Sequence, residues 1–215
     1  MKISIIGGTG KLGAAIARRL ARAGRPVTIG SRSREGAEQA AAELGYGITG
    51  TDNQSAAAAG DIVFITVPSA AQEATLREIA PHLAGKIVVD TTVPLMPPKV
   101  MRVQLPPEGS AAVRAQSLLG DRVTMVSAFH NVAAHKLIKD EDVGCDVLVF
   151  GDDKPAREIV VSLAGLMGLR ALHGGALVNS AAAEALTSVL IFLNRTYQID
   201  GAGIRITGIA DAHPG

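Results

Sequence analysis

A chain of 215 residues can bury roughly 70–75% of its unfolded surface, enough for a full core without staples. Its single cysteine, Cys145, excludes a disulfide framework and a cysteine-rich zinc site. With 21 Lys plus Arg against 20 Asp plus Glu, four Phe, two Tyr and no Trp, it lacks the basic excess and stacking platforms of a general nucleic-acid binder. Small side chains dominate instead, with 35 Ala and 24 Gly.

Short β-branched runs alternate with helical patterns along the chain. Ile3–Ile6, Val27–Ile29, Ile62–Val67, Ile87–Val89, Val123–Val126 and Asp146–Phe150 read as strands. Each is apolar almost throughout, as in a parallel sheet covered on both faces. Leu12–Ala23, Glu35–Leu44, Ala70–Ala80 and Ala111–Leu118 read as the helices between them. The rhythm predicts an α/β fold with a Rossmann-type, doubly wound, mostly parallel sheet. Residues 1–151 form that domain. Residues 152–215 are expected to make a small C-terminal lobe, with a helix Lys154–Leu166, a short strand Leu169–Leu172, a long apolar helix Ala181–Tyr197 and a last strand Ile204–Ile209.

The stretch Ala176–Leu193 is broken by Asn179, Ser180 and Glu184, so it reads as a buried helix and not a membrane span, which needs about 20 predominantly apolar residues. The apolar run near Met1 is too short for a signal-peptide core, and the cytoplasm is expected. Between Val93 and Ser110 lie five of the ten prolines, which predict a long connection, either a rigid crossover or a loop facing a substrate.

The chemistry begins where the first strand meets Gly7-Gly8-Thr9-Gly10-Lys11-Leu12-Gly13. Gly8, Gly10 and Gly13 have the G-x-G-x-x-G spacing, between a strand and a helix. The first glycine permits the tight turn, the second lets backbone approach a pyrophosphate, and the third lets helix pack on strand. The N–H groups opening the helix then hold phosphates. The second strand ends in Gly30-Ser31-Arg32-Ser33-Arg34, with no acid before Glu35. Hydroxyls and guanidinium groups suit a phosphate dianion, which favours NADP over NAD.

Thr66-Val67-Pro68 and Asp90-Thr91-Thr92-Val93-Pro94 sit at strand ends, where they either flank a nicotinamide and its ribose or are only strand exits. Ser127-Ala128-Phe129-His130-Asn131 leaves another strand. His130 there could be a general acid, or it could bond locally or orient a ligand. His82, His135, His173 and His213 have no metal-binding spacing, and no metal is expected. Asp140-Glu141-Asp142 reads as a solvated loop, Asp152-Asp153 as a helix cap, and Cys145 as an inert thiol.

Taken with Lys86-Ile87-Val88-Val89-Asp90, Gly151-Asp152-Asp153 and Leu177-Val178-Asn179-Ser180 with Glu184-Ala185-Leu186-Thr187, these motifs resemble the NADPH-dependent reductases of coenzyme F-420 over nearly the whole chain. The resemblance implies an oxidoreductase that moves hydride reversibly between NADP(H) and an 8-hydroxy-5-deazaflavin. It implies a homodimer, with neither membrane nor nucleic acid as partner. It places Thr9, Ser31 and Arg32 at the 2′-phosphate, with Arg34 added because the family often has a basic residue near this turn. Lys11 and Leu12 take the pyrophosphate, and Val67 and Pro68 lie by the nicotinamide. The deazaflavin falls near Ala128, His130 and Asn131, with Asn179 and Thr187 reaching in from the second lobe. Two departures stand out: this chain has Ser69 where some relatives carry a bulky aromatic, and Ala181-Ala182-Ala183 where some carry Arg and larger residues.

A deazaflavin accepts hydride at carbon, so no proton transfer is required at the reacting atom, and no catalytic acid–base side chain is expected. Alternatives are an NADP-dependent reductase of a flavin, imine or small carbonyl, and a non-catalytic NADP-binding protein.

Overall fold

Ile3, Ile5 and Ile6, with Ser4 among them, form strand β1 (Ile3–Ile6), and all four residues are buried. Such a run is stable only where both faces of a strand are covered. The computed structural model describes residues 1–139 and 141–209 and shows both covers. After β1 come α1 (Lys11–Arg22), β2 (Val27–Ser31), α2 (Arg34–Leu44), β3 (Thr49–Asp52), α3 (Asn53–Ala59), β4 (Ile62–Ile65), α4 (Ser69–Ile79), β5 (Ile87–Asp90), α5 (Ala111–Leu119), β6 (Thr124–Ser127), α6 (Ala134–Leu137), β7 (Asp146–Phe150), α7 (Lys154–Leu166), β8 (Arg170–Gly175) and α8 (Ser180–Tyr197).

The strands make one sheet in the order β3-β2-β1-β4-β5-β6-β7-β8. Neighbours from β3 to β6 are parallel, β6 and β7 are antiparallel, and β7 and β8 are parallel to each other. Side chains alternate across the sheet. Ile62 and Phe64 of β4 enter one core with Ile16 and Leu20 of α1 and Val160 of α7. Val63 and Ile65 enter the other, with Leu76 of α4 and Ala112 of α5. The doubly wound, mostly parallel sheet expected from the sequence is the one observed. Because β1 lies between β2 and β4, the winding reverses there, and a crevice opens at the carboxyl ends of β1 and β4.

Several details differ from the expectation. Strand β3 and helix α3 were not foreseen, because Thr49-Gly50-Thr51-Asp52 is polar and no residue of this edge strand is fully buried. It holds by close backbone contact: a side chain at Gly50 would run into the Ala37 carbonyl of α2. Ile204–Ile209 is not a strand. After Asp146 N donates to Ile204 O at 2.7 Å, the Asp146 carboxylate takes the next N–H, that of Ile206, at 2.6 Å, and no ladder forms. Strand β8, from the segment beyond residue 152, joins the common sheet. His213 and the rest of 210–215, and Asp140 of the expected acidic loop, lie outside the described residues.

Helix α8 is not the buried apolar helix expected. It buries Ser180, Glu184 and Ser188, one stripe at four-residue spacing, while Val189 and Phe192 are exposed. With the preceding turn it is long and apolar enough to cross a membrane by length and composition alone, but its polar stripe is satisfied by the protein. Ser180 donates to Ser110 Oγ, Ser188 to Arg102 O, and Glu184 accepts from α5.

Candidate active site

At the crevice the chain leaves β1 and turns at Gly7, whose φ of +80° is a left-handed conformation suited to glycine. Gly7 carries the positive φ and opens a turn that Gly10 N closes on Gly7 O at 2.9 Å, with Gly8 inside it as the motif spacing suggested. The N–H groups of Gly7 and Gly8 both donate to Gly30 O of β2, at 3.0 and 3.1 Å. A Cβ at Gly8 would lie 2.5 Å from Ile29 Cβ, and one at Gly13 would lie 2.5 Å from Thr66 Oγ1 and 2.8 Å from Gly7 O. Those two glycines are needed by the protein's own packing. Gly10 is different: a Cβ there would meet only Gly7 O, at 3.2 Å, with open space otherwise.

Gly10 also begins α1, which has no side-chain cap and no acid in its first turn. Its first N–H groups and the positive end of its dipole thus face the opening. Thr9, Gly10 and Lys11 are exposed, and Leu12 is half-buried against the core. A cradle open at Gly10, closed by packing at Gly8 and Gly13, and free of acid fits a dinucleotide diphosphate. Thr66 sits beneath the loop, its hydroxyl donating to Ile6 O at 2.8 Å, so it supports the cradle from below. Val67 Cγ1 also approaches Gly7, while Pro68 is exposed and precedes α4, whose N-terminus lacks a side-chain cap.

At the end of β2, Ser31 is half-buried and Arg32 exposed. Ser33 is the N-cap of α2, its hydroxyl accepting from Gly36 N. Arg34 is engaged with Asp52 of β3, NH2 to Oδ2 at 2.6 Å. Asp52 is an acid that sequence reading missed, because it belongs to the unforeseen edge strand.

Across the crevice, β6 runs into Ala128, Phe129, His130 and Asn131, all buried. Phe129 has φ +68°, unusual for a side chain with a Cβ, and its ring packs 6.0 Å from Phe64. His130 Nε2 shares a 2.8 Å hydrogen bond with Ser127 Oγ, while Nδ1 is buried and unpartnered. Burial pushes the His130 pKa down to about 4, so the ring is neutral near pH 7. The Asn131 amide donates to Ala183 O at 3.0 Å and Thr187 Oγ1 at 3.1 Å, and Thr187 donates to His130 O at 3.0 Å. The structure therefore brings His130, Asn131 and Thr187 together as a latch between β6 and α8. Asn179 stands apart, its amide donating to Gly174 O.

Beneath this wall lie two buried carboxyl groups. Asp90 accepts from Gln72 Nε2 and from Thr92 N, and burial raises its pKa. Gln72 in turn accepts from Arg114, which also reaches Ser69 Oγ at the start of α4. Glu184 accepts from Ala111 N at 2.7 Å and Ala112 N at 3.2 Å, capping α5, and burial lifts its pKa to about 7. A signal for Glu184 existed in the sequence: it is the one charged residue between Ala176 and Asn194. Of the adjacent acids at 152 and 153, Asp153 caps α7, whereas Asp152 accepts from Leu177 N.

The reversal of strand order and the glycine cradle beside it define a Rossmann-type dinucleotide-binding protein. The model of the family described as NADP oxidoreductase, coenzyme F-420-dependent, matches residues 2–94. The chain is 40% identical over 224 residues to the F-420-dependent NADP reductase of Methanocaldococcus jannaschii, covering 97% of this chain and 99% of that protein. It is 39% identical over 224 residues to the protein of the same name from Methanothermobacter thermautotrophicus, covering 98% and 97%. A crystal structure of a protein from Arthrobacter sp. FB24 matches with TM-score 0.85 and 26% identity over 96% of this chain and 99% of that one. The chain belongs to the F-420-dependent NADP reductase family, as the sequence motifs implied.

Proposed function

We propose that this protein catalyses reversible hydride transfer between NADP(H) and coenzyme F-420. The observation that carries the reading is the cradle at Gly10, open to a diphosphate and built into a chain 40% identical to such a reductase over 97% of its length. When bound, the two cofactors supply the hydride donor and the accepting carbon. The protein's part is to bind them, hold their rings about 3–3.5 Å apart and exclude water. In this reading Gly8, Thr9, Gly10, Lys11, Leu12 and Gly13 hold the diphosphate side, and Ser31, Arg32 and Arg34 hold the 2′-phosphate. Val67 and Pro68 border the nicotinamide. Ala128, His130, Asn131, Asn179 and Thr187 border the deazaflavin, so residues 152–215 complete a cleft begun by 1–151. No side chain acts as an acid or base, and a neutral His130 is consistent with that.

The same reading includes a homodimer in the cytoplasm. Helix α8 buries polar residues and turns Val189 and Phe192 outward, and the proline-rich segment adds exposed Met96, Val103 and Leu105. An apolar outer face of this kind supports burial against a second copy. The lone thiol of Cys145, buried and unpaired, supports a reducing compartment.

The test is anaerobic mixing of the purified protein with NADPH and oxidised coenzyme F-420, following the deazaflavin's visible band, with FMN as a parallel acceptor. Bleaching of the deazaflavin is expected. Turnover of FMN alone would promote a flavin reductase, and binding of NADPH without any turnover would promote a non-catalytic role.

A further inference from the structure

The structure assigns to Asp52 the setting of this chain's preference for a 2′-phosphorylated nucleotide. The inference rests on the reading that the Ser31–Arg34 turn receives the 2′-phosphate. Strands β2 and β3 run parallel with Ser31 in register with Asp52, so their carboxyl ends emerge side by side. A carboxylate thus stands beside the turn from the neighbouring strand, where a motif search along β2 does not look.

Its bonds are specific. Oδ1 accepts from Ser55 N at 2.8 Å, which caps α3. Oδ2 accepts from Ser55 Oγ at 2.9 Å, Thr51 Oγ1 at 3.3 Å and Arg34 NH2 at 2.6 Å. These donors hold its carboxyl far below the ordinary carboxylate range, so it stays ionised at working pH. Arg34 is exposed and Asp52 half-buried, and such solvent-facing pairs add little to folding stability. The consequence is at the turn itself. A fixed negative charge there opposes a phosphate dianion, and it occupies a guanidinium that the dianion would otherwise engage. A ribose carrying a plain 2′-hydroxyl meets neither penalty. Asp52 therefore moderates NADP affinity and leaves affinity for the unphosphorylated nucleotide unchanged.

Calorimetric titration with 2′,5′-ADP and with 5′-AMP isolates the phosphate. Asp52→Asn removes the charge and keeps the cap, since Asn caps as well as Asp. It is expected to tighten 2′,5′-ADP about three- to five-fold, the range of an exposed ion pair, with 5′-AMP unchanged. The gain should fade in about 0.5 M salt and shrink in an Arg34→Ala background. Asp52→Ser, also a capping residue, should act in the same direction, which separates the charge effect from a folding defect in either variant. Unchanged or weaker binding of 2′,5′-ADP by both variants, with 5′-AMP unchanged, would overturn the role of Asp52 alone. Wild-type protein binding 2′,5′-ADP no tighter than 5′-AMP would overturn both this role and the assignment of the turn.

Discussion

The two sides of the crevice are built by opposite means. On the β1–α1 side, atoms are left out: Gly8 and Gly13 let the loop settle against Ile29 and Thr66, and Gly10 leaves the opening of α1 exposed. On the β6–α8 side, polar groups are put in: Asn131 and Thr187 tie the strand exit to the helix, Glu184 caps α5 from α8, and Asp90 is enclosed by Gln72 and Thr92. The first side is held by close packing of the loop backbone on Ile29, Thr66 and Gly7. The second is held by buried hydrogen bonds, each costly to break once water is excluded. A cradle for phosphates can thus be complete before binding, while the opposite wall depends on protonation states.

The largest effect is expected from Gly13→Ala. Its Cβ would meet backbone at Gly7, which cannot step aside, so a loss of about 3 kcal/mol or more in denaturant unfolding is expected. Gly10→Ala should keep near-native stability and lose nucleotide affinity. If both variants unfolded alike, the distinction between packing and ligand glycines would be wrong.

Next is Glu184→Gln, read by stability against pH. The native pKa of Glu184, about 7, lies above its ordinary value of 4.5. The folded protein keeps a proton that the unfolded chain loses across that window, so this group's contribution falls from pH 4.5 to 7 and is flat above. The stability of Glu184→Gln relative to wild type should therefore rise by on the order of 3 kcal/mol from pH 5 to 8. A difference independent of pH would refute a protonated Glu184. The comparison with wild type matters because His130, with a pKa of about 4, acts in the opposite sense, costing stability as pH falls from 6.5 to 4.

Arg32→Ala should weaken NADPH binding by about 10- to 100-fold, the range of a charge-assisted hydrogen bond, with a smaller change for NADH. Equal losses for both nucleotides would remove Arg32 from the 2′-phosphate. The smallest effect is expected from His130→Ala, a rate change below about ten-fold, since an essential general acid contributes about 10²–10⁴. A loss of several orders of magnitude would make His130 catalytic.

What was legible in the chain follows from how local each signal is. The strands β1, β4 and β7 announce themselves through short runs that are apolar but for Ser4 and Asp146, because both faces of each are covered. The glycine motif is legible because its spacing encodes a turn and a helix start within seven residues. Strand β3 was not, since its hold comes from Gly50 against α2 and from pairing with β2, neither visible in Thr49–Asp52 alone. Helix α8 was legible as a helix but not in its orientation: hydrophobicity suggested burial, and the hydrogen bonds of Ser180, Glu184 and Ser188 turned the polar stripe inward.

The sequence by itself determined the fold class, the cradle and the family, because each rests on short-range spacing along one strand–turn–helix unit or on motifs in a shared order. Only the tertiary structure decided that Gly7 carries the positive φ of the turn, that Arg34 pairs with Asp52, and that Glu184 reaches α5 from 72 and 73 residues away. Those pairings join segments distant in the chain, and each group finds its partner through packing rather than through the residues beside it.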